Sequence, residues 1–106
     1  MRVEMPRAFK TACRNLGQDL ADSVGSKPGN DVITQLVNVA LIGLDRDDAR
    51  AIRQFIDSFL AKQPTPQMLA EFWWTTPAEI HFYDGDYVQR FLESLSERLG
   101  QAPFEN

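Results

Sequence analysis

The sequence is poor in the groups that most enzymes and metal proteins draw on. Among its 106 residues there is one cysteine, Cys13, and one histidine, His81. A lone cysteine excludes an internal disulfide, and neither residue has the neighbouring thiols or imidazoles that a zinc site needs. Cys13 falls on an apolar stripe, where a thiol acts as a small buried hydrophobe rather than as a nucleophile. A glycine-rich phosphate loop is also missing: Gly25 and Gly29 flank Pro28, and no Gly-Lys-Ser/Thr follows. Asp45, Asp47 and Asp48 lack the remaining ligands and the closing glutamate of a calcium loop, and read instead as helix-capping carboxylates. This inventory weighs against catalysis and implies neither a metal nor a cofactor.

Long hydrophobic runs are also missing. The longest nearly unbroken stretch, Val39-Ala40-Leu41-Ile42-Gly43-Leu44, is far short of the roughly 20 residues that cross a bilayer. Arg2, Val3, Glu4 and Pro6 follow Met1 without the apolar core of a secretory signal. The sequence therefore predicts a water-soluble, cytoplasmic protein with no membrane partner. Basic residues are in the minority, 11 Lys and Arg against 15 Asp and Glu, for a formal charge of −4 and a pI of about 4.8. Direct nucleic-acid binding is disfavoured, because phosphate backbones demand clustered Lys and Arg. An acidic protein suits a basic partner.

What is present is the material of a folded domain. Hydrophobic residues make up 43% and charged residues 25%, within the ordinary range for globular proteins, and the length suits one domain with one core. Phe9, Cys13, Leu16, Leu20 and Val24 recur at helical spacing and predict a first helix. Breakers gather at Gly25-Ser26-Lys27-Pro28-Gly29-Asn30 and predict a loop. Between Val32 and Leu44 apolar residues occur on nearly every side, which predicts a central helix buried all round. Asp45-Arg46-Asp47-Asp48 opens a third helix, whose face is Ile52, Phe55, Ile56, Phe59 and Leu60 and which Gln63-Pro64 ends. Thr65-Pro66 starts a fourth, with Met68, Leu69, Phe72 and Trp73 on its apolar face.

Thr76-Pro77-Ala78-Glu79 has the form of a capping box. It predicts one or two helical turns through Ile80-His81-Phe82-Tyr83, although those four residues would also suit a strand by propensity. Asp84-Gly85-Asp86 then recaps the chain for a last helix carrying Tyr87 or Val88, Phe91, Leu92, Leu95 and Leu99, ended by Gly100. The expected architecture is mainly α: a compact irregular bundle of about five to six helices, forming a single domain over residues 1–106, with 101–106 a loose tail.

Charge is unevenly placed along this chain. Residues 1–30 hold five Lys/Arg against three Asp/Glu, whereas residues 63–106 hold two against seven. Between Lys62 and Arg90, Glu71, Glu79, Asp84 and Asp86 interleave with Phe72, Trp73, Trp74, Phe82, Tyr83 and Tyr87. Most of these aromatics belong in a core. Adjacent residues on a helix point about 100° apart, so Trp73 and Trp74 cannot both face the same core, and one indole is left as a surface anchor. A negative face with aromatic anchors attracts a positively charged protein and then holds it by desolvated contacts. Glu71, Trp74, Glu79, His81, Tyr83, Asp84 and Asp86 are the candidate binding residues.

The stretch Glu71-Phe72-Trp73-Trp74-Thr75-Thr76-Pro77-Ala78-Glu79-Ile80-His81-Phe82, followed by Asp84, Phe91-Leu92-Glu93-Ser94-Leu95 and Leu99, resembles the C-terminal part of small immunity proteins of bacterial contact-dependent growth inhibition and related polymorphic-toxin systems. In that pattern a tryptophan, a short Ser/Thr-Pro-Ala-Asp/Glu turn, an aliphatic-aromatic pair and an acidic step lead into a final Phe-Leu helix. The resemblance implies a cytoplasmic, non-catalytic protein that binds the toxin domain of a cognate effector, a basic domain such as a nuclease, and blocks its active site or its access to substrate. The residues themselves leave open a second reading, a helical adaptor or secretion chaperone that holds a client in a groove. A wide exposed apolar patch, or self-association through Leu36, Leu41 and Ile42, would mark that alternative.

Overall fold

The computed structural model describes residues 4–17, 29–80, 82 and 85–100, and among them five α-helices follow one another with no strand. These are α1 (Arg7–Arg14), α2 (Asn30–Ala40), α3 (Arg46–Ala61), α4 (Pro66–Trp74) and α5 (Gly85–Gly100). The Cα radius of gyration is 12.7 Å, close to the roughly 13 Å of a 100-residue globule. The chain thus forms one mainly α, irregular bundle.

Local chemistry explains where α3 and α4 begin. The Asp48 amide donates to Asp45 Oδ1 at 2.8 Å and the Asp45 amide donates to Asp48 Oδ2 at 3.3 Å, which completes a reciprocal capping box on α3 and satisfies two otherwise unpaired amides. The Met68 amide donates to Thr65 Oγ1 at 3.1 Å, with Pro66 at the first position of α4. Between these helices Gln63 adopts a left-handed φ of 52°. Its amide reaches back to the Leu60 carbonyl at 2.9 Å, and Pro64 prevents the helix from continuing.

Helix α5 is the organising element, packing against α4, α3 and α2, while α1 lies on α2 and α3. Val88, Phe91, Leu92, Leu95 and Leu99 bury the stripe that the sequence predicts. Two aromatic groups fill the interior. Phe9, Phe55, Phe59 and Phe72 meet between α1, α3 and α4, with Phe59 and Phe72 centroids 4.6 Å apart. Trp73, Phe82 and Phe91 meet between α4 and α5, with Trp73 centroids 4.9 Å from Phe82 and 5.4 Å from Phe91.

Three expectations are corrected. The first helix does not run on from Phe9 to Val24: it stops at Arg14, and Leu16 reaches the core from a turn. The Asn15 side-chain amide donates to the carbonyls of Ala40 (3.0 Å) and Ile42 (3.1 Å), tying this turn to the end of α2; Leu20 and Val24 lie outside the described residues. The helix beginning at Asn30 is not buried all round, because it ends at Ala40, leaves Thr34, Gln35 and Asn38 exposed, and gives way to a turn in which Ile42 is 65% exposed.

The third correction concerns Thr76 to Phe82. No helix forms over residues 76–80, and Ile80 and Phe82 lie in neither helix nor strand. The apparent capping box is used otherwise. Thr76 is buried, and its hydroxyl donates to the Trp73 carbonyl at 2.7 Å, closing the end of α4 rather than opening a new helix. The Glu79 amide donates to the Leu16 carbonyl at 3.0 Å, and Trp73 Nε1 donates to the Ile80 carbonyl at 3.0 Å. Tertiary partners have replaced the helical ones.

Candidate functional site

Helix α4 decides what its three consecutive aromatics do. Successive side chains step about 100° around the axis. Phe72 turns to the phenylalanine cluster under α1 and α3, and Trp73 turns to Phe82 and Phe91 beneath α5. Both are 1% exposed, whereas Trp74, one step further round, is 70% exposed. Trp74 is therefore the surface indole of the pair, in the position the spacing predicts.

Glu71 lies one helical turn before Trp74 and on the same side, since residues three apart are neighbours on a helix surface. It is exposed, and Gln67 Nε2 donates to its carboxylate at 3.4 Å. Glu79 is exposed on the return that follows α4, its backbone amide pinned to the turn after α1. Asp86 is exposed in the first turn of α5, where the helix dipole favours a carboxylate. Gly85 sits against the Pro66 backbone, so Asp86 belongs to the N-terminal end of α4. Trp74 is the last residue of that helix, about 12 Å further along its axis at 1.5 Å per residue. The structure thus groups Glu71 with Trp74, continues the chain from them to Glu79, and sets Asp86 apart. His81, Tyr83 and Asp84 lie outside the described residues.

Cys13 is buried, and burial pushes its thiol from the ordinary 9.0 up to about 12, while a hydrogen bond with Thr76 pulls the other way. Such a thiol is not a nucleophile at neutral pH. Among the described residues, no group of three or more His, Cys, Asp or Glu is placed to hold a metal ion, and no helix is long and apolar enough to cross a membrane.

One feature of the surface escapes the linear charge count. Arg46, Arg50 and Arg53 line an open groove of about 360 Å³ together with Gln54 and Asp57, over Ala49 and Leu99. Their spacing of four and three residues is the signal that places them on one face of α3. It is hidden when charge is summed by segment, because Asp45, Asp47, Asp48 and Asp57 share the same stretch.

Comparison of the chain with protein-family models, with curated protein sequences and with solved structures finds no match.

Proposed function

We propose that this protein is a non-catalytic inhibitor that binds a positively charged toxin domain in the cytoplasm, as the immunity proteins of contact-dependent growth inhibition systems do. The observation that carries the reading is Trp74. A large indole at 70% exposure, beside Glu71 on a helix whose neighbouring aromatics are buried in the core, offers its surface to a partner. Tryptophan in such a place contributes disproportionately to protein interfaces, and carboxylates around it speed encounter with a basic partner. Glu71, Trp74 and Glu79 form the contact region in this reading, and Asp86 adds only longer-range attraction.

The helical-adaptor alternative is less well supported. Leu36 and Leu41 are buried, and among the described residues the exposed large hydrophobics are Ile42 and Trp74. That is not the wide apolar patch a client groove requires.

The test is co-expression with the toxin domain encoded directly upstream, scored by rescue of growth and by co-purification. Wild-type protein is expected to rescue and to co-purify. Trp74→Ala should weaken the complex by roughly thirtyfold, the loss of an interface tryptophan at about 2 kcal/mol. Failure of folded wild-type protein to rescue or bind an active toxin refutes immunity; undiminished binding after Trp74→Ala and neutralisation of Glu71 and Glu79 refutes only the contact region.

A further inference from the structure

The arginine-lined groove on α3 is chemically the opposite of the acidic, tryptophan-bearing face. In a chain with a formal charge of −4, three guanidinium groups converge on one depression. Arg53 has a partner: its Nε lies 3.7 Å from Asp57 Oδ2, and the Ser96 hydroxyl donates to the other oxygen of that carboxylate at 2.6 Å. Arg46 and Arg50 are exposed and make no ion pair with any described residue. Asp48 is engaged in the capping box with Asp45, and the exposed Asp47, one helical turn before Arg50, forms no ion pair with it. The groove therefore has two guanidinium forks without an ion-pair partner, a third paired with Asp57, and the edges of Ala49 and Leu99 between them.

We propose that this groove binds an acidic peptide segment of a partner protein, with carboxylates paired to Arg46 and Arg50 and an apolar side chain resting over Ala49 and Leu99. Charge complementarity selects the carboxylates, since the planar guanidinium matches them with two parallel hydrogen bonds. The apolar base selects a peptide over a free anion, which would leave it uncovered. Asp57, which lines the groove beside Arg53, opposes a continuous phosphodiester backbone but not a peptide whose carboxylates are spaced to meet Arg46 and Arg50. This site is independent of the Trp74 face and does not require that the protein be a toxin inhibitor.

The probe is a short fluorescein-labelled peptide with pairs of glutamates flanking leucine and phenylalanine, followed by fluorescence anisotropy and by amide chemical shifts of the ¹⁵N-labelled full chain. Its glutamine counterpart and a single-stranded oligonucleotide are the comparison ligands. The glutamate peptide is expected to bind, to shift amides of α3 and the end of α5, and to weaken with added salt. The double variant Arg46→Gln/Arg50→Gln should lose about tenfold in affinity, as two partly screened charge-assisted contacts imply. Lys10→Gln/Arg14→Gln removes the same charge from exposed positions of α1 and should bind like wild type. Circular dichroism confirms that both variants fold. The proposal is overturned by any of four results: no binding of the glutamate peptide, equal binding of the glutamine peptide, equal weakening in the two double variants, or tighter binding of the oligonucleotide.

Discussion

Replacing Gly85 with alanine tests the packing of α4 on α5, because two effects there have opposite signs. Helix propensity alone would make Gly85→Ala stabilising, by up to about 1 kcal/mol. Sterics oppose it. A Cβ at residue 85 would overlap the Pro66 carbonyl oxygen and stand 2.5 Å from its carbon and 2.7 Å from the Pro66 Cα. All three are backbone atoms of the first turn of α4, so no side chain can swing aside and the two helices must part. Overpacking that side chains can absorb costs about 1–3 kcal/mol; with backbone on the receiving side the cost should reach about 3 kcal/mol. For a domain of this size, that lowers Tm by about 12 °C or more. Gly100→Ala is the internal comparison, since the nearest atoms to its Cβ would be those of the Arg53 guanidinium at 2.9 Å, the movable tip of an exposed side chain. It should change stability by less than about 0.5 kcal/mol. Calorimetry and urea unfolding of the two variants beside wild type decide the matter. A Gly85→Ala protein as stable as wild type, or more so, would refute the close approach of α5 to Pro66.

Three further outcomes are expected. Cys13 should lend the protein an alkaline weakness: its folded pKa of about 12 exceeds the ordinary 9.0, so the stabilisation is complete below pH 9 and is lost as pH rises toward 12. The slope should be about 1.4 kcal/mol per pH unit in that window, and should vanish in Cys13→Ala when urea unfolding is followed against pH. Gln63→Gly should raise stability by about 0.5 kcal/mol, because glycine accepts the left-handed φ of 52° without the side-chain penalty, partly offset by its greater unfolded-state entropy. Asp45→Ala should cost about 1 kcal/mol through loss of the α3 capping box, read as a lower urea midpoint with an unchanged m-value.

Much of the helical order was legible because its signals are local. Asp45 to Asp48 and Thr65-Pro66 satisfy helix amides within three residues of themselves, and no distant contact is needed to choose them. The α5 stripe from Val88 to Leu99 is similarly self-contained. The fold departs from the local pattern where a distant group supplies the decisive partner. Apolar spacing from Phe9 through Leu16 persists beyond Arg14, yet Asn15 finds the carbonyls of Ala40 and Ile42, residues 25 and 27 positions away, and the helix ends. Periodicity alone cannot register such a bond. Likewise the apolar density of Val32 to Leu44 reads as burial on every side, although its last part is a turn that presents Ile42 to solvent.

The same distinction between local and distant partners governs the candidate site. Trp74 could be placed outside because the argument needs only the helical step: once Phe72 and Trp73 face two different parts of the core, the third consecutive aromatic has no interior left to enter. Glu71 follows from the same geometry, one turn earlier. Glu79 could not be placed this way. Its position depends on a backbone bond to Leu16, and the Thr-Pro-Ala-Glu pattern, which has the form of a capping box, is the segment by which the return after α4 is fastened to the turn after α1. A binding surface built on α4 and this return is thus held from beneath by Thr76, by the Trp73 indole and by the Leu16 carbonyl. Those contacts fix the Trp73 side of α4 and leave Trp74 outside, so the core and the proposed contact region are set by one helical register: turning α4 to bury Trp74 would withdraw Trp73 from Phe82, Phe91 and the Ile80 carbonyl.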